Sequence, residues 1–154
     1  MSWFTDLITN PYLITGVSSW AIAQILKVII YCFVNKKLDL LRIFGDGGMP
    51  SGHSATVVSL AVITALLNGT ASFAFAVSAI LAIIVCHDAT GVRQEAGKHA
   101  VLLDQITEVI NNMSNGKLSS EVRLKKFVGH TFTQVLAGSL VGAINAVIIY
   151  NFMI

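Results

Sequence analysis

The stretch Gly45-Asp46-Gly47-Gly48-Met49-Pro50-Ser51-Gly52-His53-Ser54 gathers the residue types that hold an anion, and it runs straight into a long uncharged apolar segment. Glycines let backbone N–H groups approach a phosphate closely. Ser51 is a good N-cap, and the first turn of the helix it opens offers unpaired donors at the positive end of the helix dipole. His53, one step inside that turn, can move a proton. Gly129-His130-Thr131-Phe132-Thr133-Gln134 repeats the logic, with a glycine, then a histidine in a helix-opening turn, then hydroxyls that can act as caps. Lys125 and Lys126 just upstream would add positive potential to a bound phosphate, and Arg93 could grip two of its oxygens in a fork. The plainer alternatives are a capping serine with an incidental histidine and, for Lys125 and Lys126, a juxtamembrane basic patch on anionic lipid.

The elements that must position these groups are membrane helices. Hydrophobic residues make up 55% of the 154 positions and charged ones only 12%, which marks an integral membrane protein. No Asp, Glu, Lys or Arg occurs from Ala55 to Cys86, a run that crosses a bilayer twice when broken at Asn68-Gly69-Thr70. None occurs from Phe127 to Ile154 either. Tyr12 to Val34 follows Pro11, suited to a first helical turn, and contains one charge, Lys27. The expected fold is therefore all-α: an integral membrane bundle of about four transmembrane helices, near 12–34, 52–67, 71–87 and 130–151, within a single membrane domain over 1–154.

Residues 92–113 place Val92, Ala96, Leu102, Leu103, Ile106, Val109, Ile110 and Met113 at helical spacing on one side, with Glu95, Lys98, Asp104 and Glu108 elsewhere. This predicts an amphipathic surface helix that lies on the membrane or packs against a second copy as a homodimer contact. The N-terminus lacks the basic region of a cleavable signal, and Cys32 and Cys86 fall inside spans with no metal or disulfide spacing. A net charge of only +2 argues against a nucleic-acid partner.

The basic residues are distributed one-sidedly. Threading the spans puts Lys36, Lys37, Arg42, Arg93, Lys98, Lys117, Arg123, Lys125 and Lys126 on one face and none on the other, with Lys27 within a span. By the positive-inside rule that face is cytoplasmic and both termini lie opposite it. The same threading brings His53, His87, Asp88, Arg93 and His130 to the cytoplasmic face. A site handling a charged head group has to sit there while the lipid tail stays in hydrocarbon. Lys27 is expensive inside a span unless it pairs or reaches water. Gln24, one turn earlier on the same side, would help it hold a polar ligand. Asp88 is the obvious structural partner for Lys27 or Arg93.

Pro50-Ser51-Gly52-His53 matches the second signature of the type 2 phosphatidate phosphatases, the superfamily that includes the vanadium-dependent haloperoxidases. Together with Asp88-Ala89-Thr90-Gly91-Val92-Arg93 and Gly129-His130-Thr131, in order and on one membrane face, it resembles the small divergent branch of that superfamily over nearly the whole chain. The resemblance implies a phosphomonoesterase with no metal and no cofactor. His130 matches the nucleophile that forms a phosphohistidine, and His53 matches the general acid. Asp88 would join them, and Lys27, Ser51, Gly52, Arg93, Lys125, Gly129 and Thr131 would bind phosphate. The first signature has no clean copy: Lys27 suits its lysine, while Arg42 lacks the proline that should follow. Gln134 occupies the place of the acid that follows the third-signature histidine, and it can orient that ring by accepting its N–H.

The expected function is removal of phosphate from a membrane lipid phosphomonoester of the phosphatidate or polyprenyl phosphate type, on the cytoplasmic side, with membrane lipids as the other partner. One alternative is a non-catalytic protein that binds or carries phospholipid. The other is a metal site of His53, His87, Asp88 and His130, to which the glycines and basic residues are poorly suited.

Overall fold

The computed structural model describes residues 3–36, 48–113 and 130–153. Its elements are α1 (Trp3–Ile8), α2 (Pro11–Asn35), α3 (Gly52–Asn68), α4 (Phe73–Thr90), α5 (Val92–Met113) and α6 (Phe132–Met153), with no strand among the described residues. Three helical stretches are long and apolar enough to cross a membrane: Pro11–Asn35, the one beginning at Phe73, and Phe132–Met153. Gly52–Asn68 is a shorter apolar helix of 17 residues, about 25 Å at the helical rise and thus near the lower limit for a span. The chain is an all-α multi-pass membrane protein.

Each helix starts where local chemistry dictates. Asn10 caps α2 by accepting from the N–H groups of Tyr12 and Leu13, with Pro11 at the first helical position. Ser51 caps α3 and Ser72 caps α4 through the N–H groups of Ser54 and Phe75. Between α3 and α4 the chain turns at Gly69, where φ is +78°, at the predicted break. The short helix α1 has no counterpart in the sequence expectation, because six residues are too few to display a period.

Helix α3 is the hub and packs on α2, α4 and α6. It runs parallel to α6, as Ser51 meets Gly138 and Ala55 meets Gly142. It runs antiparallel to α2, whose Trp20 lies at Gly52 and Gly16 at Thr56, while the Tyr12 hydroxyl bonds Asn68 at the far end. Ile63 is the largest fully buried side chain among the described residues, followed by Thr15, Ser19, Ser51, Ser54 and Ser59. A core of small side chains is what lipid demands, since apolar side chains gain nothing by leaving hydrocarbon and close backbone approach must hold the helices instead. At mid-bundle Asn145 Nδ2 donates to Ser18 Oγ and Ser19 Oγ, both at 2.8 Å, tying α6 to α2.

Helix α5 packs on α4 alone among the described elements, and Leu102, Leu103, Ile106, Val109, Ile110 and Met113 are exposed. Lys98 bonds Glu95 at 2.6 Å and holds its carboxyl below the usual carboxylate range.

Candidate functional site

The start of α3, the start of α6 and the end of α4 meet at one end of the bundle. Ser51 N–H donates to the Gln134 carbonyl at 3.0 Å, and His130 N–H donates to the Ala89 carbonyl at 2.9 Å. These two backbone bonds fix His53 and His130 opposite each other, with ring centroids 6.2 Å apart and planes tilted by 60°. His130 is buried and His53 half-buried. Asp88, half-buried, sits in the last turn of α4 beside Ala89, while His87 is exposed.

The local fold of the His130 segment is a capping box. Thr131 Oγ1 accepts from Gln134 N–H at 3.4 Å, and Gln134 Oε1 accepts from Thr131 N–H at 3.1 Å. The second bond identifies that side-chain atom as the amide oxygen, because a backbone N–H has to donate to it. His130 Nδ1 lies 3.1 Å from the same oxygen and must therefore be the protonated nitrogen. The lone pair of the neutral ring is thereby placed on Nε2, as a nucleophile requires.

Ser51 is fully buried, and its Oγ accepts from the backbone N–H of Ser54 at 3.3 Å and from the Ser54 hydroxyl at 3.0 Å. Its hydroxyl is thus engaged in capping α3. Gly52 and His53 occupy the first turn of α3, whose N–H groups an α-helix leaves unpaired by itself. Lys27 is only 3% exposed, and its stem lies against Gly48. The φ of +108° at Gly48 favours glycine, and a Cβ there would stand 3.1 Å from Lys27 Cγ, so the lysine stem would have to shift slightly to accept a side chain. The lysine that looked isolated in mid-span thus reaches the loop leading into Pro50-Ser51-Gly52-His53. Gln24, one turn away, is 8% exposed, and its buried Oε1 has no hydrogen-bond partner among the described residues.

Arg93 falls in the first turn of α5, with its side chain outside the described residues. Lys125, Lys126 and Gly129 also lie outside them, as do Arg42, Gly45, Asp46 and Gly47. Among the described residues no three His, Cys, Asp or Glu side chains gather in a way that could hold a metal ion.

Two features had sequence signals that the motif reading passed over. Thr131-Phe132-Thr133-Gln134 is a capping-box pattern, and Gly138-Ser139-Leu140-Val141-Gly142 is a small-residue motif for close helix contact. The glycine pair sits directly behind the site and seats α6 on α3.

Two imidazoles straddling a phosphate need about 3–3.5 Å from nucleophile to phosphorus and about 2.7–3.0 Å from acid to leaving oxygen. The His53 and His130 ring centroids are 6.2 Å apart, shorter than those two distances joined end to end through the P–O bond, so the two rings would meet a phosphate between them at an angle and not along one line. The chain is 37% identical over 157 residues to an uncharacterized membrane protein, YuiD, of Bacillus subtilis (strain 168), covering 96% of this chain and 99% of the relative. No solved structure matches it. The Divergent PAP2 family matches residues 8–145, and with both histidine motifs, the Asp88 turn and every transmembrane helix inside or overlapping that range, the chain belongs to this family.

Proposed function

We propose that the protein is a metal-independent phosphatase of membrane lipid phosphomonoesters. His130 Nε2 attacks phosphorus and the ester P–O bond breaks, while the His53 imidazolium gives its proton to the departing alkoxide. His53, now neutral, takes a proton from water, whose oxygen attacks the phosphohistidine. The P–N bond breaks, and inorganic phosphate leaves. Lys27, Arg93, Lys125 and the first-turn N–H groups of α3 and α6 hold the equatorial oxygens, and Asp88 adds charge beside the nucleophile. The positive-inside pattern supports a cytoplasmic site with both termini on the other side.

The observation that carries this reading is the opposed His53–His130 pair with the His130 ring held in the Nδ1–H tautomer by Gln134. Purified protein in detergent is expected to release phosphate from phosphatidate or a polyprenyl phosphate in the presence of EDTA, with vanadate as an inhibitor. Activity lost to EDTA overturns the metal-free mechanism.

A second reading, a lipid-phosphate binder without turnover, is favoured by one observation: an amide, Gln134, accepts from His130 Nδ1. An amide stabilises an imidazolium less than a carboxylate does. Gln134→Glu keeps the capping-box pattern and makes that bond charge-assisted. A gain of about 1.4 kcal/mol at the transition state corresponds to roughly tenfold faster turnover. An unchanged rate in Gln134→Glu would show that the bond does not limit catalysis. If no lipid phosphate is hydrolysed yet lipid phosphates still raise the melting temperature, the binding protein is the correct description.

A further inference from the structure

A groove of about 320 Å³ runs along the seam between α2 and α3, outside the histidine pair. Tyr12, Gly16 and Trp20 form one wall, and Thr56 and Leu60 form the other. Its α2 wall extends from Tyr12 to Trp20, about 12 Å at the helical rise. The end at Trp20 touches the phosphate cradle, because Trp20 Cδ1 is 3.3 Å from where a Cβ on Gly52 would stand. The end at Tyr12 points away, toward the Tyr12–Asn68 hydrogen bond at the opposite end of the bundle.

One face of α2 therefore changes character in order along its length. Lys27 lies against Gly48, Gln24 and Trp20 lie at Gly52, and Gly16 opens the groove at Thr56. Charge gives way to an amide, then to an indole, then to an apolar channel. The order matches a lipid phosphate, which passes from phosphate through a polar linkage to a hydrocarbon chain. Gln24 sharpens the match. Among the described residues its Oε1 is buried without a hydrogen-bond partner, an unfavourable condition that a ligand donor would relieve. It stands between the phosphate-binding and apolar sections, where an ester or hydroxyl linkage would lie.

We propose that the α2–α3 groove is the tail subsite, in which one hydrocarbon chain of the lipid phosphate lies from Trp20 toward Tyr12 while Gln24 contacts the polar linkage. This rests on the reading that the cradle takes a lipid phosphate, but not on turnover. The occupant is one chain of the bound lipid phosphate and not the annular lipid that covers every other apolar face. The difference is the shared boundary at Trp20, which makes head and tail binding a single event.

Trp20 itself reports the occupant. In a Trp3→Phe background Trp20 is the sole tryptophan, since the chain has two. The protein is reconstituted in phosphatidylcholine vesicles with a non-hydrolysable phosphonate analogue of phosphatidate brominated on its chain. Quenching of Trp20 is expected to saturate at low mole fraction and to exceed that by brominated phosphatidylcholine at the same fraction. A Cβ at Gly16 meets only Thr56 Cγ2 at an ordinary 3.7 Å, so Gly16→Phe can project its ring into the groove. It is expected to reduce the excess to the phosphatidylcholine level. Leu60→Phe narrows the other wall and serves if the first variant does not fold. Equal quenching by the two lipids, or an excess that survives both substitutions, overturns the tail subsite. Turnover with equal quenching leaves the phosphatase standing without the groove, whereas saturable quenching without turnover leaves the groove and removes the phosphatase.

Discussion

In a His130→Ala variant the phosphoenzyme is expected to vanish, and phosphate release from a lipid monoester is expected to fall on the order of 10⁴-fold or more. The fold should survive. The bond that joins the α6 segment to α4 at this point uses the His130 backbone N–H, which the substitution keeps, and the side-chain bond to Gln134 is worth about 1 kcal/mol. His53→Ala is expected to behave differently. A positioned general acid contributes about 10²–10⁴-fold, so turnover of an alkyl phosphate drops by that amount while binding persists. An aryl phosphate with an acidic leaving group needs no proton, so its first step is spared and labelled phosphoenzyme accumulates in the His53→Ala variant. Rapid-quench labelling reads both outcomes. Unchanged turnover in His130→Ala would refute the nucleophile, and equal losses in the rate of phosphoenzyme formation from alkyl and aryl substrates in His53→Ala would refute the acid.

The second large effect is expected at the α3–α6 contact. A Cβ on Gly138 would stand 2.3 Å from the Ser51 carbonyl oxygen, and one on Gly142 would stand 2.2 Å from that of Ala55. Both neighbours are backbone, so no side chain can rotate aside and the helices must part. Overpacking costs about 1–3 kcal/mol when side chains can yield, and these sites should exceed that range. Gly16→Ala provides the contrast. Its new methyl meets Thr56 at ordinary contact distance, and alanine gains roughly 0.5–1 kcal/mol over glycine within a helix. Melting temperature in detergent should therefore fall steeply for Gly138→Ala and Gly142→Ala and hold or rise for Gly16→Ala. Equal tolerance at all three positions would mean that α3 and α6 are not held by this contact. Activity should fall further than stability in Gly138→Ala, since parting the helices also breaks the Ser51–Gln134 bond that sets the histidine spacing.

The helical membrane class was legible because it depends on composition and on uninterrupted apolar runs, which tertiary context rarely overrides. The gathering of His53, His130 and Asp88 followed from threading those runs back and forth. What the threading could not supply was lateral packing. Lys27 looked buried in a span at sequence level, because nothing in its neighbourhood reveals that Gly48 leaves space for its stem. Gln134 was read as a substitute for an acid. Its second role in the capping box depends on where α6 begins, and helix boundaries are the least certain part of a sequence reading. The Asn145 cluster joins positions 127 and 126 residues apart, and no local pattern encodes that pairing.

The glycine contact has a further consequence. Because α3 and α6 are seated backbone to backbone, with His53 in the first turn of α3 and His130 just ahead of α6, the histidine pair is held as a single rigid body. On the proposed reading, a lipid phosphate has to load without prying the two rings apart. The proposed tail groove lies on another side of α3, where it meets α2 through an indole and a glycine. Reaction and tail binding, so read, therefore lie at two different interfaces of α3, and α2 is anchored independently to α6 through Asn145 and its two serine partners.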